Sequence, residues 1–192
     1  MHAMDDRTWN GLMNAARETH VAMMTEGGLV PAPALFALLD GRLIGYVRLR
    51  PVYRGQDAAV GIAEMSYLAA AAQADEVVAT WETIDVAIAC EHEPLFPGPA
   101  LNVARATPEH HLVQRFPYTE RRLRGGRFRK RDIGVEPVWT STPPVTVNGP
   151  LEPAIEALLQ QCWKPFESAE PNLVDQTDAW LTAQGYTVTL FA

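Results

Sequence analysis

Cysteine is nearly absent: 192 residues contain only Cys90 and Cys162. Two cysteines 72 residues apart make no disulfide framework, so both are expected as buried free thiols. Long apolar runs are also missing. The longest candidate, Ala58 to Ala74, is interrupted by Glu64, Ser66 and Gln73, which makes it too short and too polar for a membrane span. The opening Met-His-Ala-Met-Asp-Asp has neither the basic flank nor the apolar core of a signal peptide. A soluble, cytoplasmic protein is therefore expected. Gly-x-Ser-x-Gly, a phosphate-cradling glycine loop, Cys-x-x-Cys, His-x-His and His-x-x-x-His do not occur, nor does a helix-turn-helix, zinc-finger or RNA-binding signature. No internal repeat is present, and no known family is recognised.

Hydrophobic residues make up 47% of the chain, enough for a real core, which excludes wholesale disorder. The pattern is organised around Ala34 to Glu82, which reads as strand, turn, strand, helix, strand. Asp40-Gly41 between two apolar runs marks a hairpin, because a type I′ turn needs positive φ at both central residues. Asp57 is a good N-cap for a helix from Ala58 to about Gln73. Alternation then continues from Glu82 to Cys90, as one bent strand or two.

On either side the signals are similarly local. Thr8 to Met24 places Trp9, Leu12, Met13, Ala16, His20 and Met24 on one helical face, with Gly27-Gly28 as its end. On that face His20 is expected to be partly buried and bonded to backbone. Leu101–Thr107 and His111–Pro117 read as a second hairpin, and Ile133–Thr140 as a strand that Pro137 confines to an edge. Residues 141–150 read as a linker. Leu151–Trp163 and Asn172–Gln184 read as helices, and Tyr186–Phe191 as a strand that completes the main sheet. The fold class is α/β or α+β, a single domain over 1–192, with a mixed sheet of about six or seven strands and about four helices. Trp81 and Trp180 are both expected in the core with their indole N–H groups bonded.

The net charge of −7 hides an asymmetry. Residues 121–131 hold seven basic side chains in eleven positions, Arg121, Arg122, Arg124, Arg127, Arg129, Lys130 and Arg131, and no acid. The other 181 residues carry nine basic and 23 acidic side chains, a balance of −14. Arginine-rich runs bind anions through charge and bidentate hydrogen bonds. The favoured reading is a non-catalytic binding or accessory module whose basic segment meets an acidic surface, in the same chain, a second copy or another partner. The run also suits non-specific nucleic-acid binding, with Phe116, Tyr118 and Phe128 placed to stack on bases.

The rival is a metal-dependent phosphodiesterase. Glu64, Glu82, Asp85, Glu91 and Glu93, with His92, would hold Mg²⁺ for hydrolysis. The lysine that usually accompanies such acids is missing from Glu82-Thr83-Ile84-Asp85. His92, His110 and His111 are the candidates for a zinc or iron site, although neighbouring histidines on a turn rarely converge. The residues themselves imply no cofactor.

Overall fold

The computed structural model describes residues 4–123, 134–165 and 172–191. In chain order these form α1 (Asp6–Gly27), β1 (Ala34–Leu39), β2 (Arg42–Arg48), α2 (Gln56–Glu64), α3 (Ser66–Ala71), β3 (Glu76–Glu82) and α4 (Thr83–Ala89). There follow β4 (Ala100–Ala106), β5 (His111–Arg122), β6 (Val135–Trp139), β7 (Thr146–Val147), α5 (Pro153–Cys162), α6 (Leu173–Ala183) and β8 (Thr187–Leu190). The fold is α+β. One eight-stranded sheet runs β6-β5-β4-β3-β1-β2-β8, with β7 paired to β5. Its pairings are antiparallel, and it has a strand or two more than expected.

The β1–β2 turn sits at Asp40 (φ 51°) and Gly41 (φ 72°), the positive-φ pair a type I′ turn requires. The second hairpin, β4–β5, also falls where the apolar alternation put it. β8 pairs with β2, so the last strand joins the main sheet. Pro137 lies in β6, an edge strand, where its missing N–H costs no ladder bond. Residues 141–150, read as a linker, include β7 and lie along β5, and Gln114 Nε2 donates to the Pro143 carbonyl at 2.8 Å.

Alternation along the strands divides the core in two. Leu35, Ala37, Val47, Val77, Ala79 and Trp81 face α2, α3 and α5, where Ile62, Leu68, Ile155 and Leu158 complete the larger cluster. Leu38, Val78, Leu101, Val103 and Phe116 face α1 on the other side. Asp5 caps α1 by accepting the Thr8 N–H at 2.6 Å, and Gly28 closes it in the left-handed conformation. Buried Glu76 fastens the start of α1, accepting the Met4 N–H at 2.9 Å and pairing with Arg105, which also donates to the Met4 carbonyl at 3.0 Å.

Five expectations are corrected. The strand expected on through Glu82–Cys90 stops at Glu82: Thr83–Ala89 is helix α4, whose buried Thr83, Val86 and Ala87 follow a three-four spacing that coexists with the alternation in so short a stretch. The helix expected over Ala58–Gln73 breaks at Met65 into α2 and α3. Its N-cap is Gly55; Asp57 instead takes a bidentate pair from Arg50 and the Tyr53 N–H. Trp180 is 41% exposed, because on α6 only Thr177 and Leu181 turn fully inward. His20 is fully buried, edge-on to Tyr118 with centroids 4.9 Å apart, and neither ring nitrogen meets a hydrogen-bond partner among the described residues.

Gly61 shows why a helix-weakening residue occurs in α2. A Cβ there would lie 3.0 Å from Val52 and 3.2 Å from Leu49, and the Tyr186 hydroxyl reaches the Gly61 carbonyl at 2.9 Å. Trp81 matches its expected place: it is 1% exposed, and its indole N–H donates to Glu152 Oε2 at 2.8 Å.

Trp81→Ala should destabilise the fold by about 3–5 kcal/mol in urea unfolding, through the cavity and the abandoned Glu152 carboxylate. Burial holds the His20 pKa down to about 4 from 6.5, so the folded imidazole is neutral at pH 7. The unfolded chain takes up that proton first. Stability present above pH 6.5 should therefore fall as pH drops toward about 4, and His20→Leu should reduce that acid sensitivity in pH-dependent thermal melts.

Candidate functional site

Two of the carboxylates read as a metal set, Glu82 and Glu64, are occupied with structural work on opposite faces of the sheet. Glu82 ends β3 and points toward the α1 face. Its Oε2 accepts the Asp85 N–H at 2.6 Å, capping α4, and its Oε1 accepts the Ala100 N–H at 3.0 Å, fastening the start of β4. Burial raises the Glu82 pKa against the opposing pull of these N–H donors, and burial alone raises that of Asp85. Both line a shallow cleft with Tyr118, whose phenol is also pushed up by burial and the nearby acids. Glu64 lies in α2, on the other face of the sheet, and accepts the Tyr186 hydroxyl at 2.6 Å.

The histidines are likewise dispersed. His92 Nδ1 meets the Glu93 carbonyl at 2.9 Å, His110 Nδ1 meets Thr107 Oγ1 at 3.2 Å, and His111 Nε2 meets the Gly149 carbonyl at 2.8 Å. Among the described residues no three His, Cys, Asp or Glu side chains gather as a metal ion requires. Glu91 follows α4 with φ 57°. Cys90 is half-buried and Cys162 fully buried, and burial raises both thiol pKa values, the state of inert thiols.

A polar network that the sequence did not announce lies beneath Trp81. Asn102 Nδ2 donates to Thr83 Oγ1 at 2.8 Å and to the Ala100 carbonyl at 3.1 Å, while Arg115 Nε donates to Asn102 Oδ1 at 3.0 Å. Burial lowers the Arg115 pKa, with the Glu152 charge opposing. The only signal available was a polar residue at an inward strand position, Asn102, paired in register with Trp81.

The basic segment emerges from a distinct piece of architecture. β5 stays paired with β4 as far as Pro117. Beyond that point it pairs only with β6, from Tyr118↔Trp139 to Arg122↔Val135, and the Leu123 N–H reaches the Gly134 carbonyl at 2.9 Å. A two-stranded ribbon therefore runs off the main sheet. Its base is anchored by Tyr118 and Trp139, which pack on His20, and at its far described end Gly134 lies against the Thr25 carbonyl of α1 so closely that no Cβ fits. Arg121 and Arg122 are on the ribbon and exposed, and Arg121 pairs with Glu136 opposite. Arg124, Arg127, Arg129, Lys130 and Arg131, with Phe128, lie outside the described residues. Phe116 and Tyr118 are buried, 7% and 3% exposed, and so are not available to stack on bases.

No family model, curated protein or solved structure matches the chain. Among the described residues no helix is long and apolar enough to cross a membrane.

Glu82→Ala should cost about 1–3 kcal/mol in chemical unfolding, through the lost α4 cap and the orphaned Ala100 N–H. The raised Glu82 pKa means that the folded state binds the proton more tightly than the unfolded one. Its favourable contribution is full below the ordinary glutamate value and fades as pH rises through the raised one. The stability gap between wild type and Glu82→Ala should therefore narrow with rising pH.

Proposed function

We propose that the protein is a non-catalytic binding module that engages an acidic protein surface, a second copy of this chain included, through the β5–β6 ribbon. The observation that carries this reading is the ribbon itself: two strands leave the sheet at Pro117, and the end of β5 together with the residues that follow it holds seven basic side chains and no acid between 121 and 131. Guanidinium groups match carboxylates in planar, bidentate geometry, and Arg121 already takes a carboxylate partner in Glu136. The rest of the chain carries the complementary charge, −14 over 181 residues.

Nucleic acid is the second reading, because a two-stranded ribbon has the width of a major groove. It is weakened by the burial of Phe116 and Tyr118, which removes two of the three aromatics that would stack on bases. The phosphodiesterase reading loses support from Glu82, whose two oxygens each hold a backbone N–H, and from Glu64, which serves Tyr186 on the other face.

The triple change Arg127→Gln, Arg129→Gln and Arg131→Gln tests the proposal. Polyglutamate should bind the wild type with steep salt dependence and bind the triple variant at least about tenfold more weakly, with circular dichroism unchanged. Random duplex DNA or RNA binding at least about tenfold tighter than polyglutamate would transfer the function to nucleic acid. Equal polyglutamate binding by both proteins would refute any role for the basic segment.

A further inference from the structure

The shallow cleft at the foot of the β5–β6 ribbon has a volume of about 530 Å³, within the range of small-molecule sites. Glu82, Asp85 and Glu120 bring three carboxyl groups to it from β3, α4 and β5, and no basic side chain among the described residues lines it. Both oxygens of Glu82 are engaged by backbone N–H groups, so this residue supplies mainly charge. Asp85 and Glu120 are exposed, and neither carboxylate has a hydrogen bond or ion pair among the described residues. The walls between are apolar: Ile84 and Ile88 line the cleft from α4, and Ile88 is 49% exposed.

Tyr118 is the independent sign of a ligand. Its ring is packed on His20 and Trp139 and the residue is 3% exposed, yet its hydroxyl has no hydrogen-bond partner among the described residues. Unlike the His20 nitrogens, that oxygen is not sealed from the surface. The charges of Glu82, Glu120 and Asp85 all help to raise the phenol pKa, which puts the hydroxyl near the three acids that line the cleft with it. Acids around a free phenol oxygen call for a cation with several donors. A metal ion does not fit, because among the described residues no three His, Cys, Asp or Glu side chains gather closely enough to hold one. An ammonium is a compact, strongly hydrated point charge, whereas a guanidinium is planar, more weakly hydrated and carries five N–H donors. Apolar walls favour the ion that sheds water more cheaply, and an alkyl stem gains by lying along Ile84 and Ile88.

We propose that this cleft is a binding site for a guanidinium group on an alkyl stem, held by the carboxylates of Asp85 and Glu120 and by the Tyr118 hydroxyl. The tyrosine oxygen accepts one N–H and the carboxylates accept the others. A free alkylguanidine and the arginine side chain of a polypeptide present the same chemistry, and this chain's own residues 121–131 are one such polypeptide. Nothing in the site requires the basic segment to have an acidic partner of its own.

n-Butylguanidinium is the probe, with n-butylurea as the neutral control of the same shape and n-butylammonium as the cation without the fork. Calorimetric titration should show the probe binding at least about tenfold more tightly than butylurea and about threefold more tightly than butylammonium. In protein labelled with ¹³C-tyrosine, the probe should shift the Tyr118 ring resonances. Asp85→Asn with Glu120→Gln should weaken probe binding about tenfold, and Tyr118→Phe about fivefold, with circular dichroism unchanged. The triple variant Arg127→Gln, Arg129→Gln and Arg131→Gln separates the sources. Tighter probe binding than in the wild type means that the chain's own arginines compete for the cleft, and equal binding means that the guanidinium comes from another molecule. The proposal is overturned if butylurea or butylammonium binds as tightly as the probe, if the Tyr118 resonances stay unmoved, or if the double variant binds the probe normally. Should Tyr118→Phe fail to fold, the double variant, changed only at exposed positions, still decides.

Discussion

The hydrogen bond from the Trp81 indole to Glu152 joins the sheet's central strand to the start of the helix beneath it. β3 is flanked by β4 and β1 and buried on both faces. Trp81 turns down toward α5 and Glu82 turns up toward α1, so two successive residues reach into the two halves of the core. The Glu152 carboxylate is itself fully buried, and its other oxygen has no hydrogen-bond partner among the described residues. A carboxylate so placed is held by Trp81 and by the charge of Arg115, which in turn is positioned by Asn102. Position along one strand thus sets the docking of α5, the start of α4 and the register of β4.

The same geometry accounts for what the acidic residues do. Glu82 and Glu64, which a metal centre would need to converge, are engaged by backbone N–H groups and by a hydroxyl at separate points of the scaffold, and acids outside that set do similar work. Glu76 ties down the chain before α1, Glu82 caps α4, and Asp57 clasps Arg50. Buried polar groups are satisfied because leaving them unmet costs about 1–3 kcal/mol each. His20 is conspicuous on the side of the core that α1 covers, because both of its ring nitrogens lack a partner among the described residues, where Glu152 lacks one at a single oxygen.

Much of the fold was legible because its signals are local. Asp40-Gly41 encodes its turn in two residues, the Pro108-Glu109-His110 turn separates two clear strands, and the inward set of α5 follows one helical face. Glu82–Cys90 failed because seven residues satisfy both periods, and the deciding factor, a side-chain cap from Glu82, depends on the tertiary placement of β4. Trp180 failed because a four-residue spacing says which face a residue shares and not whether that face is covered. Of the site, the basic run was visible as composition, but its mounting on a ribbon anchored by Tyr118, Trp139 and Gly134 was not. That mounting depends on α1, about a hundred residues earlier in the chain.

The pairing of β8 with β2 has a consequence for how the chain reaches this shape. Arg48 and Thr187 meet across 139 residues. On the ribosome, the outer edge of β2 has no β8 to pair with until 139 further residues have been made. A strand edge left open in that interval is a template for pairing with other chains. β2 ends in Arg48, with Arg42 at its other end, and both are exposed. Charges at the ends of a waiting strand discourage edge-to-edge pairing with a second nascent chain, which is the general effect of arginine at such positions.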